Sequence, residues 1–261
     1  MNSLAYRIYW QPGCTSCLRA KEFLRGAGID FESINVRERP DALAELAARG
    51  LRAVPVIARG ADYVLGQDLD ELARFIGVPV ARERLTAKVL CLRIERLLEI
   101  AAVQTAQMPR HYWQTLLPQR DRSYLDLGYH IAMVATALVD AAEGGELTFE
   151  HYERRTPAAQ QTAAEVALIL QHCRARFRAW HAGTGGPPGP LTLRTYFGRR
   201  DVFVVLERTA WHIAQHVRQL QYLLTDVAGL SAADALSDAD LAGLPVPTAV
   251  WDREIGAPAR N

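Results

Sequence analysis

Two groups of residues in this 261-residue chain are of types, and at spacings, that do chemistry. The first is Gln11-Pro12-Gly13-Cys14-Thr15-Ser16-Cys17-Leu18, in which two thiols stand three residues apart. A thiolate at Cys14 is the expected nucleophile toward a disulfide, and Cys17 the thiol that resolves the mixed disulfide. The second group lies in Trp211-His212-Ile213-Ala214-Gln215-His216. A spacing of four puts both imidazoles on one helix face, next to the apolar stripe, where two neutral rings chelate a divalent cation. The third ligand must come from another helix, and His130, in Leu127-Gly128-Tyr129-His130-Ile131, is the best candidate because core positions flank it.

Blander readings stand beside these. Cys-x-x-Cys is also half of a zinc knuckle, or two buried cysteines, although residues 1–80 contain no other Cys and no His. A His-x-x-x-His pair on an amphipathic helix is also a polar decoration or a hydrogen-bonded core pair. His111, His151, His172 and His181 lie near helix ends or loops and read as surface residues. Asp126, one turn before His130, reads as a solvated carboxylate or as an acceptor that orients a ligand. Cys91 and Cys173 fall inside helical patterns and read as buried, reduced, inert thiols.

The elements that must position the thiols are short. Tyr6–Trp10 reads as an aromatic-rich strand, Pro12-Gly13 breaks it, and Leu18, Lys21, Phe23 and Leu24 take up helical spacing. Cys14 therefore falls at a helix N-terminus, where unpaired amides and the helix dipole favour the thiolate. Strands are expected over 29–36, 54–57 and 63–65 and helices over 40–49 and up to Ile76, with a turn at Gly66-Gln67-Asp68.

From Arg82 the pattern turns almost purely helical. Four stripes follow: Leu90, Ile94, Leu97, Ala101; Tyr124 through Leu138; Val166 through Trp180; and Leu206 through Leu223. Pro109 and Pro118, Gly144-Gly145 and the Gly/Pro run 183–190 separate them. Amphipathic helices of this length bury their stripes against one another, so a four-helix bundle is expected. The partition is 1–80, 81–255 and a tail, 256–261, and the loops joining helices one to two and three to four have room for short extra elements.

Thirty basic and 29 acidic residues leave a net charge of +1, with no run of like charges, so neither nucleic acid nor an anionic membrane surface is an implied partner. No signal peptide precedes Tyr6, the apolar run 131–139 is too short to span a bilayer, and a cytoplasmic location is expected. Four cysteines do not make a disulfide scaffold. Amphipathic bundles often pair, so a homodimer is an open expectation.

The β-α-β-α-β-β-α order, Cys14-Thr15-Ser16-Cys17, Val54-Pro55 and Gly66-Gln67-Asp68 resemble glutaredoxins and the wider thioredoxin-like class over about residues 5–77. The resemblance implies a cis Pro55 facing the Cys14 sulfur, a Val54 backbone that hydrogen-bonds an extended thiol peptide, and a 66–68 loop that holds the γ-glutamyl end of glutathione. The lysine common in glutaredoxins three residues before the first cysteine is Gln11 here, and Arg52 is the cation that replaces it; Ala53 and Gln67 stand where Thr and a second Gly are usual. Downstream, 118–131 and His212 through Leu220, with a closing segment 244–251, resemble the DinB-like family over roughly 84–252. That family includes thiol-dependent isomerases and transferases. The likeness implies a three-histidine site at His130, His212 and His216 inside a four-helix bundle. Three protein ligands leave an open position for catalysis, and nitrogen-only ligation suits zinc or nickel ahead of iron or manganese. The combined expectation is an α/β thioredoxin-like oxidoreductase fused to an all-α, metal-dependent thiol transferase or isomerase, acting on a small thiol and a disulfide or electrophile. The alternative is a redox sensor joined to a metal-stabilised dimerisation or partner-binding bundle.

Overall fold

The computed structural model describes residues 5–79, 83–158, 161–183, 191–256 and 258. The expected boundary at 80–82, the run 184–190 and most of the tail lie outside the described residues. The described residues form two compact units, one built from those up to Glu83 together with Pro247–Gly256, the other from those in Arg84–Val246.

The first unit runs β1 (Tyr6–Trp10), α1 (Thr15–Gly26), β2 (Phe31–Asn35), α2 (Pro40–Ala48), β3 (Val56–Arg59), β4 (Asp62–Leu65) and α3 (Leu69–Ile76). Its sheet has the order β2-β1-β3-β4, with β1 parallel to β2 and antiparallel to β3, and β3 antiparallel to β4. Because side chains alternate along a strand, Ile8 and Ile57 pack with Leu24, Leu72 and Ile76 of α1 and α3. Tyr9, Val56 and Ala58 pack with Ala42 and Leu46 of α2 on the opposite face. The strand expected over 54–57 begins only at Val56, since proline has no N–H to give a ladder; the Val54–Pro55 bond is cis. α3 stops at Gly77, whose φ of 76° is the left-handed cap a glycine takes readily.

Sequence patterning assigned residues up to 255 to the bundle; Pro247–Gly256 packs instead with the first unit. The reason is a cation inside α1. The Lys21 side chain is fully buried, its ammonium 3.1 Å from the centre of the Trp10 ring, and burial pushes its pKa down. Asp252 at 2.9 Å and Glu254 at 3.1 Å supply the counter-charge. The Glu22 carboxylate accepts the Thr248 and Ala249 amides, Ser33 donates to Glu254, and Ile255 packs on the same core cluster as Cys14.

The second unit comprises α4 (Ala87–Gln107), a 3-10 turn (Arg110–Tyr112), α5 (Tyr124–Ala142), α6 (Glu150–Glu153), α7 (Ala163–Gly183), the hairpin β5 (Thr192–Thr195) and β6 (Gly198–Asp201), α8 (Val202–Tyr222) and α9 (Asp238–Leu241). α4 and α5 each pack against both α7 and α8. α8 runs on through a π-helical turn, Leu223–Val227. Ser123 caps α5 reciprocally with Asp126. α5 approaches α4 closely at Gly128, where a Cβ would lie 2.7 Å from Thr105 Oγ1. α5 is also the one described helix long and apolar enough to cross a membrane, longer than the apolar run expected there, and most of it is buried among its neighbours.

Removing one partner of a buried ion pair strands the other charge at a cost of about 3–5 kcal/mol. Asp252→Ala should therefore lower the opening free energy of the β1 and α1 amides, measured by hydrogen exchange, by about 3 kcal/mol, the low end because Glu254 stays. Unchanged protection would show that the returning segment does not stabilise this unit.

Candidate functional sites

Cys14 is the N-cap of α1, and its Sγ accepts the Cys17 amide at 3.2 Å. The two sulfurs stand close to disulfide distance. Cys14 is half-buried and Cys17 fully buried, so an incoming thiol reaches the first sulfur and not the second. In the reduced protein the same amide and the helix N-terminus favour the Cys14 thiolate over the thiol. Cys14 Sγ lies 3.8 Å from the Val54 carbonyl oxygen, beside the cis Pro55.

The loop expected to hold a thiol peptide also makes contacts within the fold. Gln67 is buried and its Nε2 donates to the Val54 carbonyl at 3.1 Å. The Gly66 amide donates to the Pro55 carbonyl, and a Cβ on Gly66 would meet Pro55 Cγ at 2.8 Å, which is why only glycine fits. Asp68 caps α3, accepting the Asp70 and Glu71 amides. Gln11 accepts from Arg37 at 3.2 Å, and Arg52 is exposed. Arg37, unnoticed in the sequence, puts a cation beside the position where a lysine is missing.

In the second unit α5 brings His130, and α8 brings His212 and His216, into one buried cluster. One ligand atom from each lies within 4.8 Å of the other two. Ring centres are 4.8 Å apart for His130 and His216, 4.9 Å for His212 and His216, and 5.6 Å for His130 and His212. Gln219 Oε1 lies 2.8 Å from His216 Nδ1. An amide oxygen only accepts, so Nδ1 carries the proton and the Nε2 lone pair is left over. That Nε2, His130 Nδ1 and His212 Nδ1 are all buried with no hydrogen-bond partner. Burial holds all three well below the usual imidazole range, His216 down to about 3; the Arg122 charge adds to this at His130 and His216, and neighbouring His216 at His212. Neutral, convergent rings with free nitrogens are the donor set a divalent ion takes.

Tyr152 completes the cluster, its ring centre 5.8 Å from that of His130 and 5.5 Å from that of His212. Asp126 neither ligates nor sits free in solvent: besides capping α5 it accepts the Thr156 amide and hydroxyl, tying the segment that carries Tyr152 to the start of α5. His151, expected at the surface, is buried against Asp140, and His181 bonds Glu95. His111 and His172 are exposed as expected. Cys91 and Cys173 are buried free thiols, with burial raising the Cys91 pKa to about 11.

The glutaredoxin family profile matches residues 7–64. Glutaredoxin from Pseudomonas aeruginosa is 41% identical over 69 residues, which is 26% of this chain and 82% of that protein. The chain belongs to the glutaredoxin family through its N-terminal domain. The glutaredoxin-like protein NrdH of Escherichia coli K12 is 40% identical over 53 residues, 20% of this chain, and the chain spans 65% of that relative's length. The NrdH of Lactococcus lactis is 31% identical over 67 residues, 26% of this chain and 93% of the relative. No solved structure matches. The glutaredoxin domain is thus a mixed-sheet α/β redox unit with its cysteine pair at disulfide distance, followed by a helical region.

The residues around the histidines that sequence reasoning passed over are Gln219, three after His216, Arg208, four before His212, and Tyr152. Helical spacing could have pointed to the first two; nothing local marks Tyr152. The buried trio also sets a pH dependence. Held neutral when folded, the imidazoles take up protons on unfolding below about 6.5, so metal-free protein should lose stability as pH falls from there toward about 3. Urea midpoints of chelator-treated protein should drop between about pH 7.5 and pH 5.5 by the equivalent of about 1 kcal/mol per histidine, and by less in His130→Leu. Equal drops in both proteins would contradict a neutral buried trio.

Proposed function

We propose that this chain is a thiol-disulfide oxidoreductase whose helical region is a DinB-like four-helix bundle, holding a divalent metal through His130, His212 and His216 and acting as a thiol transferase or isomerase. The redox half rests on the half-buried Cys14 at the head of α1, the sealed Cys17 beneath it and membership of the glutaredoxin family. The Cys14 thiolate attacks a disulfide sulfur and expels one thiolate. Cys17 then attacks Cys14, forming the internal disulfide and releasing the second thiol, so two electrons pass to the substrate. A low-molecular-weight thiol of the glutathione type, or a dithiol reductase, restores the pair. Gln11, held by Arg37, and Arg52 are proposed to meet a carboxylate of that thiol, together with the 66–68 loop.

The metal half rests on three orphaned ring nitrogens in one buried cluster. A divalent ion there supplies Lewis acidity that favours the anionic form of a coordinated thiol; zinc or nickel suits the donors best. The protein's own contribution is to exclude water, to fix the His216 tautomer through Gln219, and to seat the rings against Tyr152. Thiol released by the first site is a substrate for the second by diffusion alone.

Cys14→Ser should abolish turnover of a mixed disulfide with glutathione while leaving thiol addition to an electrophile intact. His216→Ala should do the reverse, lowering thiol addition at least 100-fold, as expected for loss of a metal-supported nucleophile. Thiol–disulfide turnover that survives Cys14→Ser, or thiol addition indifferent to His216→Ala and to added zinc or nickel, would remove the corresponding half.

A further inference from the structure

Beside the three histidines the helical unit buries two guanidinium groups with no carboxylate to answer them. Arg208 lies one turn before His212 on α8 and is buried. Its Nη1 donates to the Tyr152 hydroxyl at 2.9 Å and its Nη2 to the Tyr196 hydroxyl at 2.9 Å, and its plane sits among the rings of Tyr152, Tyr196 and Phe197. Arg122, also buried, donates from Nη2 to the Tyr152 backbone carbonyl at 2.8 Å. The Nε of each is buried without a partner. Both cations thus converge on Tyr152, the residue whose ring packs against His130 and His212, and the Arg122 charge bears on all three imidazoles.

Among the described residues neither arginine has an acidic group within ion-pair distance, and its only hydrogen-bond acceptors are two tyrosine hydroxyls and a main-chain carbonyl. A buried, unpaired charge costs several kcal/mol, and proteins bury arginine almost only when it is paired. Glu153 and Asp126 act on Arg122 from a distance, and Asp126 is spent on the α5 cap and Thr156. With a divalent ion among neutral imidazoles the neighbourhood would gain further positive charge, while among the described residues no carboxylate lies within ion-pair distance of either guanidinium. A planar guanidinium is the side chain best matched to a carboxylate.

We propose that Arg208 and Arg122 form an anion subsite beside the histidine trio, so that the ligand at the open position carries a carboxylate as well as its reacting group. This deepens the metal-site reading and rests on it. The ligand class is a small carboxylate-bearing thiol or electrophile, in preference to an uncharged one of the same size.

The test uses full-length protein carrying Cys14→Ser and Cys17→Ser, loaded with cobalt(II), so that added thiol reports only on the helical unit through the cobalt–sulfur charge-transfer band. Mercaptoacetate should bind at least 10-fold more tightly than mercaptoethanol. Arg208→Met should reduce that preference to about twofold at unchanged cobalt content, Arg208→Lys should keep part of it, and Arg122→Met serves where Arg208→Met does not fold, with folding read by circular dichroism. Equal affinity for the two thiols in the parent protein overturns the anion subsite and leaves the metal site standing, whereas failure to bind cobalt at all removes the metal site itself, and the subsite with it.

Discussion

Three imidazoles buried with a ring nitrogen apiece left unpartnered are the constraint on which the helical unit turns. Each orphaned buried polar atom costs about 1–3 kcal/mol, and the three rings that carry them each bring one nitrogen to within 4.8 Å of the others. Everything near them is arranged to keep that cluster in place. Ser123 and Asp126 start α5 at a fixed point, Gly128 lets α5 settle against α4, and Gln219 fixes one tautomer. Hydrogen bonds that satisfied the rings internally would have served stability better; leaving them open is what a ligand-ready site requires.

The glutaredoxin domain solves the opposite problem, keeping one sulfur reachable and one sealed. The chain achieves this with a strand, a Pro-Gly break and a helix capped by Cys14. The 66–68 loop then holds the Val54–Pro55 turn against the cysteine, through the Gly66 amide and the Gln67 side chain. Gln67 thus acts from behind the site, where it shapes the surface a thiol meets.

Much of this was legible in the sequence because the signals were local. An aromatic strand ending in Pro12-Gly13 placed Cys14 at a helix start, and a spacing of four placed His212 beside His216. The pairing with His130 was readable because core positions flank it and because the surrounding motifs resemble the DinB-like family. What escaped notice depends on residues distant in sequence. Lys21 takes up helical spacing with Leu18, Phe23 and Leu24, but nothing near it in sequence announces Asp252 and Glu254, which return to neutralise it. Tyr152 sits on a four-residue helix with no periodicity to read. The β5–β6 hairpin, built from Thr192–Thr195 and Gly198–Asp201, is rich in arginine and threonine and lacks the apolar alternation that marks a strand.

Metal retention by His130, His212 and His216 is read by elemental analysis of the full chain, purified without a histidine tag and dialysed after exposure to zinc and nickel. Close to one divalent ion per chain is expected in the parent protein and in Cys14→Ser with Cys17→Ser, and almost none in His212→Ala. No retained metal in the parent, or equal retention in His212→Ala, would contradict a metal site there.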